Sequence, residues 1–270
     1  MLKDLKLALI GAGQMGGALL KGVINSKKLA PANIVISEPK PERADELQHE
    51  FGVRIAEDNL TAAEMCEVII LAVKPQQIDS VLAEIGNELD KGKILISIVA
   101  GISTDHIHNI TKKNTPVVRV MPNTPALIGK GIAVISPGKH ATKRSTEIAG
   151  ELLSSVGEVV FLEEKYQNQS TAVNGSGPAY MFLFAEALID AGVKVGLPRD
   201  VARKLVVETM IGSALMLKET GKHPGVLRDM VTSPGGTTIA ALKAFEEGGL
   251  RKATFEAVED AVRRAEQLGG

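Results

Sequence analysis

The first 162 residues alternate short apolar runs with segments that have helical spacing. The runs are rich in β-branched residues and are bounded by Gly, Pro, Asn or Lys, as buried strands are: Leu5–Ile10, Ile34–Ser37, Val68–Val73, Ile94–Ile98, Val117–Val120 and Ile132–Ile135. Because these runs are apolar on both faces and helices separate them, they predict a parallel sheet covered by helices on both sides. The N-terminal part is therefore expected to be an α/β domain.

The alternation ends after Val159–Leu162, and only helical patterns follow. Several of them carry start and stop signals, with Pro178 and Pro198 at first helical positions and Gly192, Gly221 and Gly248 after the ends. We therefore place a domain boundary between residues 162 and 163, with an all-α domain over residues 163–270. Its predicted helices are Ala179–Ala191, Arg199–Glu219, Gly225–Met230, Thr238–Glu246 and Leu250–Leu268.

One helix of this second domain is apolar on more than one face. The segment Val201–Leu217 therefore needs a second burial surface. It is either a buried central helix of its own domain or half of a dimer interface in which two chains complete each other's core. The dimer interpretation is favoured, so the all-α part is expected to be a dimerisation domain.

Charge and composition narrow the classes of partner. The chain has 31 Lys and Arg against 32 Asp and Glu, so no basic surface for nucleic acid or anionic membranes is expected. The longest weakly polar run, Leu7–Leu20, is shorter than the roughly 18 residues of a membrane span. The single cysteine, Cys66, cannot form an intrachain disulfide and indicates a reducing cytoplasm, and the scattered histidines predict no metal site.

A glycine-rich loop, Gly11-Ala12-Gly13-Gln14-Met15-Gly16, joins the first strand to the predicted helix Gly17–Asn25. In a Rossmann-like domain, Gly11 permits the tight turn, Gly13 lets the backbone approach a pyrophosphate, and Gly16 lets helix and strand pack closely. Free N–H groups at the helix start then face the phosphates. The loop predicts dinucleotide binding, with a plain tight turn as the alternative.

The residues at the end of the second strand bear on the choice of dinucleotide. An acidic residue such as Glu38, next to Ser37, binds the adenosine ribose hydroxyls and repels a 2′-phosphate, whereas basic residues such as Lys40 and Arg43 do the reverse. The same charges are otherwise an ordinary solvated helix start. Both NADH and NADPH therefore stay open, and Asn59 is either a helix cap or a contact to adenosine.

Further cofactor contacts are expected where the other strands end, because ligands of open α/β sheets lie outside the carboxyl ends of the strands. Lys74 would offer a positive charge to the phosphates or the ribose, unless it is a plain solvent-exposed lysine. The rigid stretch Met121-Pro122-Asn123 is expected to wall the nicotinamide. The predicted contacts at these strand ends are Ala72, Val73, Lys74, Pro75, Val99, Ala100, Met121, Pro122 and Asn123.

Two loops of small residues precede helical patterns in the second half. They are Asn174–Tyr180 and Val231–Thr238, and each presents backbone N–H donors at a helix start. Such a cluster of donors suits a carboxylate. The alternative is that both loops are only helix caps.

Several motifs in a fixed order resemble the pyrroline-5-carboxylate reductase family: GAGQMG, AVKPQ, VRVMPNTPA, GSGPAY, AGVKVGLPR and HPGVLRDMVTSPGGTTIAAL. The resemblance covers nearly the whole chain. It implies a Rossmann domain followed by a helical dimerisation domain, and dimers that can assemble into larger rings. It also implies hydride transfer from NADPH or NADH to the cyclic imine of pyrroline-5-carboxylate, giving L-proline.

The resemblance also implies a substrate site. Residues matching Val231–Thr238 hold the substrate carboxylate and ring nitrogen at the dimer interface, and a glutamate at the position of Glu164 lines the site. The predicted catalytic residues are Glu164, from this resemblance, and Thr238 and Ser176, from the two loops that contain them. The predicted substrate contacts are Ser233, Gly235, Gly236, Thr237 and Thr238. Where NADPH-preferring members carry polar or basic residues, this chain has Glu38-Pro39, which leaves its cofactor preference open.

The chemistry agrees with an imine substrate. Oxidation of a hydroxy acid needs a Lys or His base, and the predicted helix Ala179–Leu188 has neither. A protonated cyclic imine accepts hydride without further acid catalysis, so the protein has mainly to position it. The alternatives are another NAD(P)-dependent imine or oxo-acid reductase of the same two-domain plan, and a non-catalytic dinucleotide-sensing module.

Overall fold

The computed structural model describes residue 2 and residues 4–269. Contacts divide the chain into two compact units, Met1–Ser176 with Ala261–Gly270, and Gly177–Asp260. The predicted boundary at residues 162 and 163 follows the last strand of the first unit, whereas the division by contacts falls later, at Ser176.

The first unit contains an eight-stranded sheet in the order β3-β2-β1-β4-β5-β6-β7-β8. The six predicted runs and the segment at 159–162 all form strands, and the short β3 is an addition that the sequence did not predict. The strands are β1 Leu7–Ile10, β2 Ile34–Ser37, β3 Arg54–Ile55, β4 Val68–Leu71, β5 Ile94–Ser97, β6 Val117–Met121, β7 Gly131–Pro137 and β8 Gly157–Phe161.

The predicted parallel sheet is confirmed for every pair of strands except one. Every neighbouring pair is parallel except β6 and β7, in which Val120 lies opposite Ile135 in an antiparallel register. The connection between them holds only a short 3₁₀ helix, Thr124–Ile128. A parallel crossover needs a dozen or more residues, so this connection turns the chain back instead.

Helices cover both faces of the sheet, as predicted. Alternate residues of one strand enter different cores: Leu7 and Leu9 pack in one apolar cluster, and Ala8 and Ile10 in the other. The helices of the first unit are α1 Gln14–Asn25, α2 Pro41–Phe51, α3 Asn59–Met65, α4 Ile78–Ile85, α5 Thr104–Thr111, α6 Lys143–Leu153 and α7 Gln167–Ser170. Cys66 is buried in the second cluster, which raises the pKa of its thiol to about 11.

The second unit is helical, as predicted, with three differences at helix ends. Pro178 is the second helical residue, after Gly177, instead of the first. Gly192 lies inside a helix instead of after it. A Cβ there would lie 3.1 Å from the Cβ of Ala202, so glycine at this position lets the two helices come close. Pro198 is the N-cap, one residue before the first helical position. The helices are α8 Gly177–Lys194, α9 Arg199–Thr220, α10 Pro224–Met230, α11 Thr237–Glu247 and α12 Leu250–Gly269.

Most apolar side chains of this unit are exposed in the single chain. On α9 only Ala202 is buried among the described residues, while Leu205 is 53% and Ile211 50% exposed. The interpretation of Val201–Leu217 as a buried central helix is therefore wrong, and its apolar face has no cover within one chain. No helix in the described part of the chain is long and apolar enough to cross a membrane.

Candidate cofactor and substrate sites

The glycine loop lies between β1 and the N-terminus of α1. Gly11 has φ +86°, and a Cβ there would lie 2.8 Å from the carbonyl oxygen of Ala72. A Cβ at Gly16 would lie 2.4 Å from the carbonyl oxygen of Gly11, so neither position has room for a side chain. Gly13 is the N-cap of α1 and has open space where a Cβ would be. The loop is therefore closed on its sheet side and open at the helix start, as a phosphate cradle requires.

A cavity of about 950 Å³ opens at this loop and runs along the ends of β1, β2 and β4. That volume lies at the upper end of the usual range for ligand pockets. Ten predicted cofactor residues line it: Gly11, Gly13, Gln14, Ser37, Glu38, Lys40, Asn59, Ala72, Val73 and Lys74. The residues present therefore fit a dinucleotide.

Other predicted cofactor residues lie outside this lining. Met15 packs against the first apolar cluster, and Val99 is buried in the second. Gly16 is buried beneath the loop, and Pro75 and Ala100 are exposed at strand ends. Contacts from these five residues to a cofactor stay predictions.

Glu38 is tied directly to the glycine loop. Its Oε2 accepts a hydrogen bond from the backbone N–H of Ala12 at 2.8 Å, and its Oε1 accepts one from the N–H of Lys40 at 3.3 Å. Arg43 lies on the other side of the same loop residue, with Nε donating to the carbonyl oxygen of Ala12 at 3.4 Å. The carboxylate is thus fixed at the mouth of the loop, where the sequence predicted a ribose contact.

A chain of hydrogen bonds joins the end of β2 to α3 and α4. Ser37 Oγ donates to Asn59 Oδ1 at 2.8 Å, and Asn59 Nδ2 donates to Glu84 Oε2 at 2.7 Å. Asn59 is not the cap of α3, because Asp58 precedes it and accepts from the N–H of Thr61. These hydrogen bonds from Thr61 lower the pKa of Asp58. Glu84 was missed from the sequence, since only the folded chain brings α4 to this edge.

The predicted nicotinamide wall meets the loop at residues 174–176. Asn123 Nδ2 donates to the carbonyl oxygen of Asn174 at 3.2 Å, and Asn174 Nδ2 donates to that of Met121 at 3.1 Å. Gly175 packs so closely that a Cβ there would lie 2.8 Å from Met121 Cε. The predicted loop Asn174–Tyr180 is instead largely helical. Its first residues end a π-helical turn, Thr171–Gly175, the N–H of Ser176 donates to the carbonyl oxygen of Thr171, and α8 begins at Gly177. Two motifs that are far apart in sequence thus form one rigid assembly.

Glu164 has structural contacts of its own. Its carboxylate accepts from the N–H of Thr104 at 2.8 Å, from Thr104 Oγ1 at 2.5 Å and from Arg119 Nη1 at 3.4 Å. The Arg119 side chain is only 9% exposed, and burial lowers its pKa while Glu164 offsets this effect. Glu164 therefore positions the start of α5 and neutralises a buried cation, and its catalytic role stays a prediction.

The loop at residues 231–238 lies in the second unit and begins α11. Gly235 has φ +66°, Gly236 is the N-cap, and the N–H of Gly236 donates to the carbonyl oxygen of Ser233 at 3.1 Å. This turn uses one of the N–H groups predicted for the substrate carboxylate. The N–H groups of Thr237 and the half-buried Thr238 lie in the first turn of α11, where helical N–H groups lack partners within the helix.

Comparison with known proteins extends over the whole chain. Residues 164–268 match the family model for pyrroline-5-carboxylate reductase dimerisation, and residues 6–101 match that for NADP oxidoreductase, coenzyme F420-dependent. The pyrroline-5-carboxylate reductase of Corynebacterium melassecola is 43% identical over 97% of this chain and 98% of its own. That of Escherichia coli strain K12 is 38% identical over 97% and 98%. This chain belongs to the pyrroline-5-carboxylate reductase family.

Solved structures agree with the family assignment. The pyrroline-5-carboxylate reductase of Coxiella burnetii matches with a TM-score of 0.93 and 34% identity over 99% of this chain and 100% of that one. The Plasmodium falciparum enzyme, solved with NADP bound, matches with a TM-score of 0.91 and 32% identity over both whole chains. The fold and the two-part plan predicted from the sequence are confirmed.

Membership of the pyrroline-5-carboxylate reductase family also accounts for the exposed helices. The matched dimerisation region, residues 164–268, includes α8, α9 and α11, whose apolar side chains are uncovered in one chain. A helix with such a face needs a partner surface, and a second copy supplies one. The match and the exposed faces together support a homo-oligomer.

Proposed function

We propose that this chain catalyses the reduction of pyrroline-5-carboxylate to L-proline by NAD(P)H, the last step of proline biosynthesis. The observation that carries the proposal is the full-length match to pyrroline-5-carboxylate reductases at 38–43% identity. The dinucleotide cavity at the glycine loop supports it independently, because the reaction needs a hydride donor.

The residues of the chain bind and orient the reactants. When bound, the nicotinamide cofactor supplies a hydride to the imine carbon, and the ring nitrogen carries the proton that makes the product a secondary amine. The start of α1 holds the pyrophosphate through backbone N–H groups at Gly13 to Met15. The joined loops at Met121–Asn123 and Asn174–Ser176 form a wall that excludes water from one side.

We assign substrate binding to the first turn of α11. The free N–H groups there and the positive end of the helix dipole suit the substrate carboxylate, and the Thr238 hydroxyl hydrogen-bonds at the ring nitrogen. No Lys or His lies in residues 179–188 of α8, consistent with a substrate that needs positioning more than proton transfer. Ser176 and Glu164 contribute polar contacts or an ordered water in this proposal.

Thr238→Val tests the substrate assignment, since valine keeps the shape and removes the hydroxyl. We expect kcat/KM for the imine to fall roughly 5- to 150-fold, the usual range for removing one polar contact from a site. Thr254→Val is the matched control, because that hydroxyl bonds to the carbonyl of Leu250 within α12. Equal catalytic efficiency of Thr238→Val and wild type would remove Thr238 from the mechanism.

The assembly and location are further parts of the proposal. We assign a homodimer through the helical domain, with the loop at residues 231–238 at its interface, and dimers that can pack into a larger ring. Light scattering after size exclusion measures this mass directly, and a monomer at micromolar concentration would contradict it. The single, buried Cys66 fits a cytoplasmic enzyme that needs no disulfide.

The activity is tested with purified protein, pyrroline-5-carboxylate, and NADH or NADPH in parallel. Loss of cofactor absorbance with the imine, and much slower loss with oxo acids, is the expected result. Turnover of an oxo acid alone would favour another reductase of the same plan. Tight cofactor binding with no turnover of any substrate would favour a dinucleotide-sensing module.

A further inference from the structure

The adenosine end of the cavity carries an unusual balance of charge for an enzyme family with NADP-binding members. Resting on the proposed function, we propose that this chain selects NADH over NADPH, and that Glu38 is the residue that selects.

The carboxylate of Glu38 is held in place by the backbone on both of its oxygens. Oε2 accepts from Ala12 N–H at 2.8 Å and Oε1 from Lys40 N–H at 3.3 Å, and the residue is half-buried. An ionised carboxylate has about four acceptor sites, so two bonds from the backbone leave room for two more donors. The vicinal hydroxyls of an adenosine ribose supply two such donors.

A 2′-phosphate does not fit the same place. It replaces a donor hydroxyl with acceptor oxygens and brings a charge of about −1.5 to −2 at pH 7. Glu38 is an acceptor only, so the hydrogen bond is lost and two like charges meet. Because Ala12 and Lys40 hold both carboxylate oxygens, moving Glu38 aside would break one hydrogen bond to the glycine loop and one to the backbone after β2.

Two of the side chains that could bind a 2′-phosphate, those of Arg43 and Asn59, already have hydrogen-bond partners. Arg43 donates through Nε to the carbonyl of Ala12 and pairs through Nη1 with Glu46 Oε2 at 3.0 Å. Asn59, which also lines the cavity, donates through Nδ2 to Glu84. The described lining carries three basic side chains, Lys40, Arg43 and Lys74, against six acidic ones, Glu38, Glu42, Glu46, Glu57, Asp58 and Glu84. This surplus of negative charge opposes an additional phosphate.

Direct binding without substrate tests the inference. Isothermal titration of the purified oligomer with NADH and with NADPH gives two dissociation constants for each variant. For wild type we expect NADPH to bind at least about tenfold more weakly, the effect of one charge-assisted contact. Glu38→Gln keeps the length and a carbonyl oxygen for Ala12 N–H but removes the charge, so it should lower the preference for NADH by about tenfold.

Glu50→Gln is the matched control, because Glu50 is exposed on α2 and lies outside the lining of the cavity. It removes the same charge, and we expect it to change the ratio of the two constants by less than about threefold. Equal or tighter binding of NADPH by wild type would overturn the inference. So would an unchanged ratio in Glu38→Gln, or a change in Glu50→Gln as large as that in Glu38→Gln.

The test separates this inference from the proposed function. Absence of imine turnover would defeat the function while leaving the measured preference between the two dinucleotides intact. Turnover with a preference for NADPH would keep the function and defeat only the role of Glu38. A melting curve for each variant without cofactor confirms that the binding constants refer to folded protein.

Discussion

Replacing Gly13 with alanine distinguishes what this glycine contributes to folding from what it contributes to cofactor binding. Gly13 has φ −62° and ψ −160°, which other residues adopt, and no atom lies within 4 Å of a Cβ built there. In the chain without cofactor, Gly13→Ala should therefore change the free energy of unfolding by less than about 1 kcal/mol, because the restriction of the unfolded chain by alanine offsets its poorer fit as an N-cap.

The affinity for the cofactor should change more strongly than the stability of the free chain. The new methyl group fills the open space at the N-cap of α1, where the backbone has to approach the pyrophosphate. Overfilling a close contact costs about 1–3 kcal/mol, which corresponds to a dissociation constant roughly 5- to 150-fold weaker. Titration calorimetry with NADH or NADPH and thermal unfolding without cofactor measure the two effects separately.

Gly16→Ala provides the contrast within the same loop. Its Cβ would lie 2.4 Å from the carbonyl oxygen of Gly11, and neither atom belongs to a flexible side chain. This variant should lower the melting temperature without cofactor as well as weaken binding. Unchanged cofactor affinity in a folded Gly13→Ala would refute the placement of the pyrophosphate at this loop.

Three further predictions concern other parts of the molecule. Glu164→Gln should destabilise the fold by about 3–5 kcal/mol, because it leaves Arg119 buried without its carboxylate partner. Urea unfolding at fixed protomer concentration measures this loss, and the double variant with Arg119→Met should lose less stability than the two single variants added together. Additive losses would show that the two side chains are not coupled. Burial raises the pKa of the Cys66 thiol to about 11 from its ordinary 9.0, so the unfolded chain ionises first. The free energy of unfolding should therefore fall by at most about 3 kcal/mol as the pH rises from 9 to 11. This fall should be larger in wild type than in Cys66→Ala. Leu205→Glu should reduce the oligomer mass in light scattering, whereas Lys204→Glu on the same helix should not; equal masses would remove this face of α9 from the interface.

The sequence predicts most of the fold because its signals are local. Each of the predicted strands is an apolar run bounded by turn residues, and nearly every residue of β1, β2 and β4 is buried. The two-residue β3 is too short for any periodicity to reveal it. The antiparallel pairing of β6 with β7 depends on the length of a connection, which the pattern of apolar residues does not record.

The candidate site, too, is only partly predictable from the sequence. The glycine loop follows from the spacing of three glycines between a strand and a helix, and the structure gives each of them a distinct geometry. The partners of Glu164 lie 45 and 60 residues away in sequence, at Arg119 and Thr104, and only the folded sheet brings them together. The hydrogen bonds from Asn123 to Asn174 and from Asn174 to Met121 join residues 51 and 53 positions apart, so the sequence shows both motifs but not the contact between them.

Transfer of an isotope label tests the central claim most directly. Pyrroline-5-carboxylate is incubated with the enzyme and NADH or NADPH deuterated at the transferable position of the nicotinamide, and the product is measured by mass spectrometry. We predict proline that is heavier by one deuterium at the former imine carbon, in amounts equal to the cofactor consumed. Proline without label, or no proline with either cofactor, would contradict the assignment of this chain as an imine-reducing enzyme.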